Sequence, residues 1–194
     1  MELNVRRMIL SEFDDLWRFI VNRSASFPVV QEYNELKYVY ELMRGCESYL
    51  EIGTAEGNSL YILAHALKKG SKIALVDYGE KHTAEPREQI LNLLKPNQNP
   101  IQIYGSSHNH ACIDKINELG KFDVVLIDAG HSYEDVIADS IAYGGLATKY
   151  IIFHDVCLPE VMRAFEWYLS QRSDWEAYKF INSETFGYGI LRKK

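Results

Sequence analysis

Five short apolar runs, each followed by a stretch of helical periodicity, constrain this chain more than any other feature. The runs are SYLEIG, KIALVDY, IQIYG, FDVVLIDAG and YIIFHDV, and the helical stretches between and after them are expected at 58–69, 84–95, 108–119, 133–143 and 159–172. Strands alternating with helices pair in parallel through crossovers, which place helices on both faces of one sheet. Pro159 suits the first turn of the last helix, where its missing N–H costs nothing. Beyond that helix, WEAYKFI and FGYGILRK are separated only by a short turn around Asn182-Ser183-Glu184. Two strands so closely spaced form an antiparallel hairpin, here expected on the sheet edge. The expectation is an α/β fold with seven strands, mostly parallel.

Residues 1–30 read as one or two short helices ending near Pro28. Tyr33, Leu36, Val39, Tyr40 and Met43 then recur at helical spacing up to Gly45, a C-terminal stop. A chain of 194 residues can bury one substantial core, so residues 1–194 are expected to form one domain, with a helical segment at 1–45 and the β/α core at 46–194. Apolar residues make up 47% and charged residues 25%, an ordinary globular balance without repeats or linker-like tracts. A net charge of −6, with basic pairs such as Arg6-Arg7 and Lys68-Lys69 that extend into no patch, argues against nucleic acid as a partner and favours a small molecule. Cys46, Cys112 and Cys157 are too widely spaced for a disulfide framework or a zinc knuckle, so a reducing cytoplasm is the simplest compartment. No run approaches the roughly 18 apolar residues of a membrane span, and a soluble, unprocessed protein is expected. Self-association stays open.

In open sheets of this kind, ligands sit at the carboxyl ends of the strands. The first strand runs into Glu51-x-Gly53-x-x-x-Gly57-x-Ser59, directly before a helix. Glycines there permit otherwise forbidden torsions and a close approach to the main chain. The second strand ends 24 residues after Gly53 with Asp77, where a carboxylate can take two ribose hydroxyls. The dinucleotide fingerprint G-x-G-x-x-G is absent, which disfavours a nicotinamide-dependent oxidoreductase and leaves a nucleoside-type ligand.

LEIGTAEGNS, ALVDYG and YGSS together resemble the first three ligand-binding motifs of the class I S-adenosylmethionine-dependent methyltransferases, over roughly residues 46–194, and the terminal hairpin is similar to their reversed last strand. The resemblance implies a Rossmann-like fold and S-adenosylmethionine as cofactor. It further implies that Gly53, Thr54, Ala55, Gly57 and Ser59 wrap the methionine part, that Glu51 supports the loop, and that Asp77 holds the ribose. Ser106 and Ser107 would lie by the adenine, with Ser106 standing where many relatives carry an acid.

A second polar constellation follows the fourth and fifth strands: Asp128 and His131 in IDAGHSYE, His154 and Asp155 in FHDV. Asp128 or Ser132 can simply cap the following helix. Yet two apolar strands do not need an acid and a histidine apiece at one end merely to fold. VLIDAGHSYEDVIAD followed by YIIFHDV resembles the branch that includes macrocin O-methyltransferase and cephalosporin-biosynthesis methyltransferase-like proteins, and more remotely the catechol O-methyltransferases. That resemblance implies a divalent cation, magnesium or manganese, held by Asp128, His154 and Asp155 beside the donor, with His131 at the position of a general base. His154 stands where relatives offer an oxygen ligand; magnesium prefers oxygen donors, whereas imidazole suits manganese, iron, cobalt or zinc. Tyr133 is the aromatic residue placed to reach an acceptor, while Tyr33, Tyr38, Tyr40, Phe186 and Tyr188 have the spacing of core residues. The expected function is O-methylation of a hydroxyl on a sugar or phenolic small molecule; the alternative is a non-catalytic subunit that binds the same cofactor.

Overall fold

The computed structural model describes residues 12–23, 31–79, 81–94, 96–181 and 186–194. Seven strands form one sheet: β1 (Ser48–Ile52), β2 (Lys72–Asp77), β3 (Asn99–Tyr104), β4 (Phe122–Ile127), β5 (Ala147–His154), β6 (Trp175–Ile181) and β7 (Tyr188–Lys193). Their spatial order is β3-β2-β1-β4-β5-β7-β6. The first five pair in parallel, and β7 runs antiparallel to both β5 and β6. The expected hairpin is present, with β7 inserted beside β5 and β6 left as the edge; its connecting residues 182–185 lie outside the described residues.

Seven helices accompany the sheet among the described residues: α1 (Glu12–Arg23), α2 (Tyr33–Met43), α3 (Asn58–Ala66), α4 (Lys81–Leu94), α5 (His110–Glu118), α6 (Tyr133–Tyr143) and α7 (Pro159–Ser170). Of the expected N-terminal helical stretch, residues 12–23 are helical, and residues 1–11 and 24–30 lie outside the described residues. Gly45, with φ of +82°, ends the α2 connection as expected. Helix α4 starts at Lys81, three residues before the expected 84. The proline sits inside the helix, where it removes a single backbone donor. Helix α5 starts two residues late because Asn109 caps it, its side chain accepting from the Ala111 N–H at 2.9 Å.

Alternation along the strands separates two cores. Tyr49, Ile73, Leu75, Val124, Leu126 and Ile152 face one way and pack with α1 to α4. Leu50, Ile52, Val76, Val125, Ile127 and Phe153 face the other way and pack with α5 to α7. Helices therefore cover both faces, and no helix among the described residues is long and apolar enough to cross a membrane.

The strand order reverses between β1 and β4, so the loops leaving these neighbours diverge around a crevice. Gly53 lies at that point. Its N–H donates to the Val76 carbonyl at 2.9 Å, and the Asp128 N–H donates to the Ile52 carbonyl at 2.8 Å. A Cβ on Gly53 would fall 2.2 Å from the Asp128 carbonyl oxygen, and φ is +86°. The glycine is thus required by the protein's own backbone. Gly53→Ala is expected to lower stability by about 3 kcal/mol or more, while Gly70→Ala, at φ of +79° but with open space around it, is expected to cost only about 1 kcal/mol. Urea unfolding of the two variants checks the difference.

Candidate active site

The loop between β1 and α3 is held from beneath and from the side. Beneath it, Glu51 is fully buried and its Oε1 accepts from the Ser59 hydroxyl at 2.9 Å. Burial pushes the Glu51 carboxyl up to about 8, because the charged form cannot be solvated there. From the side, Asp77 Oδ2 accepts from the N–H groups of Thr54 at 3.0 Å and Ala55 at 2.9 Å. Asp77 Oδ1 accepts from Gly79 N–H at 3.0 Å and lies 2.8 Å from the Arg87 guanidinium. Four donors occupy the roughly four lone-pair sites of a carboxylate. Ala55 takes a φ of +46° at the loop tip, a conformation those contacts impose.

Arg87 escaped the sequence reading. It is fully buried in α4 and also donates to the Ala55 carbonyl. Its signal was present: residues 87, 90, 91 and 94 share one helix face, and Ile90, Leu91 and Leu94 are buried on it. A charge on an apolar stripe marks a buried ion pair.

Two clefts open beside this loop. The first, of about 230 Å³, is bounded by Asp77, Tyr78, Gly105, Ser107, His108 and Asp135. Ser107 lines it, and its carbonyl accepts from the Tyr143 hydroxyl at 2.6 Å. The Ser106 hydroxyl is turned to local contacts, accepting from the Tyr78 hydroxyl at 3.3 Å and the His108 N–H at 3.2 Å. The second cleft, of about 240 Å³, is bounded by Gln31, Thr54, Glu56, Asn58, Ser59 and the β4 and β5 termini. Gly53, Ala55, Asp128 and Ala129 line both clefts, so the two meet at the strand-order reversal.

The structure brings Asp128, His131, His154 and Asp155 together in the second cleft. His131 Nε2 lies 2.8 Å from Asp155 Oδ2 and 3.9 Å from Asp128 Oδ1. His154 Nδ1 lies 3.0 Å from Asp128 Oδ1 and 3.3 Å from Asp155 Oδ2. Hydrogen bonds to Asp128 and Asp155 raise His131 to about 10. Burial works against the charge of His154, yet Asp128 and Asp155 outweigh it and raise this group to about 10 as well. Burial likewise opposes ionisation of Asp155, but the two histidines hold it well below the usual carboxylate range. Each imidazole thus favours its charged form against the carboxylates it faces. Asp155 adopts a φ of +59°, a left-handed conformation that aims its side chain back at the histidines.

Asp128, His131 and Asp155 offer ligand-capable atoms that all lie within 4.8 Å of one another. Half-exposed His131 faces the carboxylates from the cleft, and His154, with Nδ1 beside both of them, packs behind, stacked on Phe186 and buried, its Nε2 completing no hydrogen bond among the described residues. A donor set of two carboxylates and an imidazole suits manganese, iron or zinc better than magnesium. Gln31 reaches the cluster from the segment before α2, its amide 3.4 Å from Asp128 Oδ2. Ser132 caps α6, accepting from the Asp135 N–H at 3.1 Å, so Asp128 is released from that task. Tyr133 lies under the Arg163 guanidinium at 4.8 Å, packed against the core of α5 to α7. Tyr40 and Tyr188 are core residues.

A family model described as a methyltransferase domain matches residues 50–156, more than half of the chain. No curated protein sequence matches the chain. Among solved structures, the chain is similar to the O-methyltransferase TomG of Streptomyces achromogenes, involved in tomaymycin synthesis and solved with S-adenosylmethionine, at 18% identity and a TM-score of 0.70, covering 96% of this chain and 92% of that one. An O-methyltransferase from Bacillus cereus, solved with S-adenosylhomocysteine, matches at 20% identity and a TM-score of 0.70 over 97% of this chain and 94% of that one. A methyltransferase from Geobacter sulfurreducens matches at 16% identity and a TM-score of 0.66 over 95% and 91%.

Because Glu51 titrates near 8 when folded and near the ordinary carboxylate value when unfolded, its contribution to stability is complete below about pH 4.5 and is lost as pH rises through about 8. Glu51→Gln keeps the shape and removes the titration. Its stability relative to the parent protein is expected to rise between pH 5 and pH 8 by on the order of a few kcal/mol, read from urea unfolding at each pH. Parallel profiles for the two proteins would mean that Glu51 is ionised throughout.

Proposed function

The chain belongs to the methyltransferase-domain family, and from that premise we propose that it transfers a methyl group from S-adenosylmethionine to a hydroxyl oxygen of a small acceptor, a sugar or a phenol. The observation that carries this reading is the junction of the two clefts at Gly53, Ala55, Asp128 and Ala129. A donor lying along the first cleft presents its methyl group at that junction, and an acceptor in the second cleft meets it there.

In this reading Gly53, Thr54, Ala55, Gly57 and Ser59 hold the methionine part and Glu51 supports them from below. Asp77 takes the ribose, and Ser107, with Ser106 behind it, borders the adenine. Since the Asp77 carboxylate already has four donors, ribose hydroxyls reach it by displacing one of them, and donor binding is coupled to the set of the loop. The segment before α2 supplies Gln31 to the acceptor side.

Transfer from a sulfonium is an in-line displacement, so the protein mainly aligns the acceptor oxygen and removes its proton. Asp128 and Asp155, with His154 Nδ1 close to both, would hold a divalent cation, which when bound would supply Lewis acidity and lower the acceptor's pKa, leaving His131 free of the metal. His131 is the residue positioned to take the proton. Wedged between two carboxylates it is itself protonated at neutral pH, and it becomes a base once those carboxylates are neutralised by another partner. His154, buried behind them, keeps both acids oriented.

Two outcomes are expected. The protein binds S-adenosylhomocysteine in calorimetry, and Asp77→Ala weakens that binding by roughly 1.5–3 kcal/mol; absence of binding by the parent protein would end the assignment of donor. In single-turnover methyl transfer with manganese added, His131→Ala slows the chemical step by about 10²–10⁴-fold while leaving S-adenosylhomocysteine affinity nearly unchanged. A variant of undiminished rate would move the proton to solvent or to the metal-bound acceptor alone.

A further inference from the structure

Helix α2 carries a buried acid that has no part in the chemistry described above. Residues 35, 36, 39, 40 and 43 share its buried stripe, on which Leu36, Val39, Tyr40 and Met43 belong to the core. Glu35 stands among them, only 2% exposed. A carboxyl group in that position has a large desolvation cost and persists where it has a specific partner. The partner lies 152 residues further along the chain: Glu35 Oε1 accepts from the Gly187 N–H at 3.0 Å. Gly187 takes a φ of +85°, a torsion that glycine reaches without strain. Its segment leads into β7 and lies against the end of β5. The Gly187 carbonyl accepts from the Val156 N–H at 3.3 Å, and the Phe186 carbonyl accepts from the Cys157 N–H at 2.9 Å. The Phe186 ring stacks on His154 with centroids 5.8 Å apart, and the Tyr188 ring lies 4.7 Å from the same imidazole.

We propose that Glu35 is a positioning residue for the acid–histidine cluster: by holding Gly187 it seats residues 186–188 against 154–157 and so fixes the His154 ring and the turn at Asp155. The proposal rests on the cation site given under the proposed function. Glu35 lines neither cleft, so it acts through the segment it holds. Asp155, at φ of +59°, sits between the histidine flanked by Phe186 and Tyr188 and the two amides bonded to Phe186 and Gly187. A left-handed aspartate persists where its surroundings over-determine it, and here residues 186–188 grip the chain on both sides of it. The same N-terminal segment also reaches the neighbouring strand end, where Gln31, four residues before Glu35, lies 3.4 Å from Asp128 Oδ2. Residues 31–35 thereby set both carboxylates of the site, one through a direct contact and one through Gly187.

The test pairs calorimetry of manganese binding with amide hydrogen exchange of the cation-free protein. Glu35→Leu is expected to speed exchange of the Val156 and Cys157 amides by about tenfold or more, the loss of roughly one hydrogen bond's hold on their partners. It is also expected to weaken manganese binding by about 10–100-fold, as loss of an outer orienting partner does, with S-adenosylhomocysteine affinity nearly unchanged. Glu35→Gln, whose amide oxygen still accepts from Gly187, is expected to restore the parent's values in both measurements. A general loss of stability would speed exchange equally at central sheet amides such as Val125 and Ile152, and that pattern would overturn the proposal. Unchanged exchange at Val156 and Cys157 in Glu35→Leu would overturn it too. Should Glu35→Leu not fold, Phe186→Leu withdraws the ring from His154 with Glu35 in place and is expected to weaken manganese binding in the same range; an unchanged affinity there is the overturning result. A parent protein that binds no manganese would remove the cation from the proposed function, and exchange at Val156 and Cys157 would then decide the positioning role by itself.

Discussion

The carboxylate of Asp77 is the contact from which the rest of the site hangs. It ends β2, yet its partners are the N–H groups of Thr54 and Ala55 in the loop after β1, the N–H of Gly79, and the buried guanidinium of Arg87 in α4. One side chain thereby ties together two strand ends and a helix. The left-handed torsion of Ala55 persists because several hydrogen bonds over-determine it. Without that anchor, the loop that separates the two clefts has no fixed height above the sheet.

Across the crevice the same problem is solved with charge. Asp128 and Asp155 end adjacent strands and meet in a partly buried place, where His131 and His154 lie against them and the contacts favour the charged form of each imidazole. The two imidazoles are not equivalent. His154 is almost fully buried and serves as a structural counter-ion, whereas His131 is half exposed and can exchange its partners for a ligand. Accessibility, rather than residue type, divides the roles.

Buried charge recurs away from this crevice. Arg87 in α4 and Asp139 in α6 both occupy positions on apolar stripes, and each points toward the first cleft through an intermediary: Asp77 for one, His108 for the other. Both were visible in the sequence as charges out of phase with their helices. What each would pair with was not, because α4 packs on one face of the sheet and α6 on the other, and no local pattern says which loops converge.

The parallel sheet, the helices on both faces, the terminal hairpin and the loops that bear Gly53, Asp77, Asp128 and Asp155 were all legible in the sequence, because strand and helix periods and glycine torsions are local properties. The expected start of α4, at 84, falls three residues late, and Pro86 lies inside a helix that packing stabilises from outside. The reason for Gly53 was legible only in part: its torsion follows from the loop, but its close contact with the Asp128 carbonyl depends on β1 and β4 being neighbours. The same holds for the unequal exposure of His131 and His154, both of which line the second cleft. Sequence alone determined which residues stand at strand ends. Tertiary structure decided which of them meet, which are buried and which charge balances which, because strand order and burial arise from long-range packing that short-range periodicity does not encode.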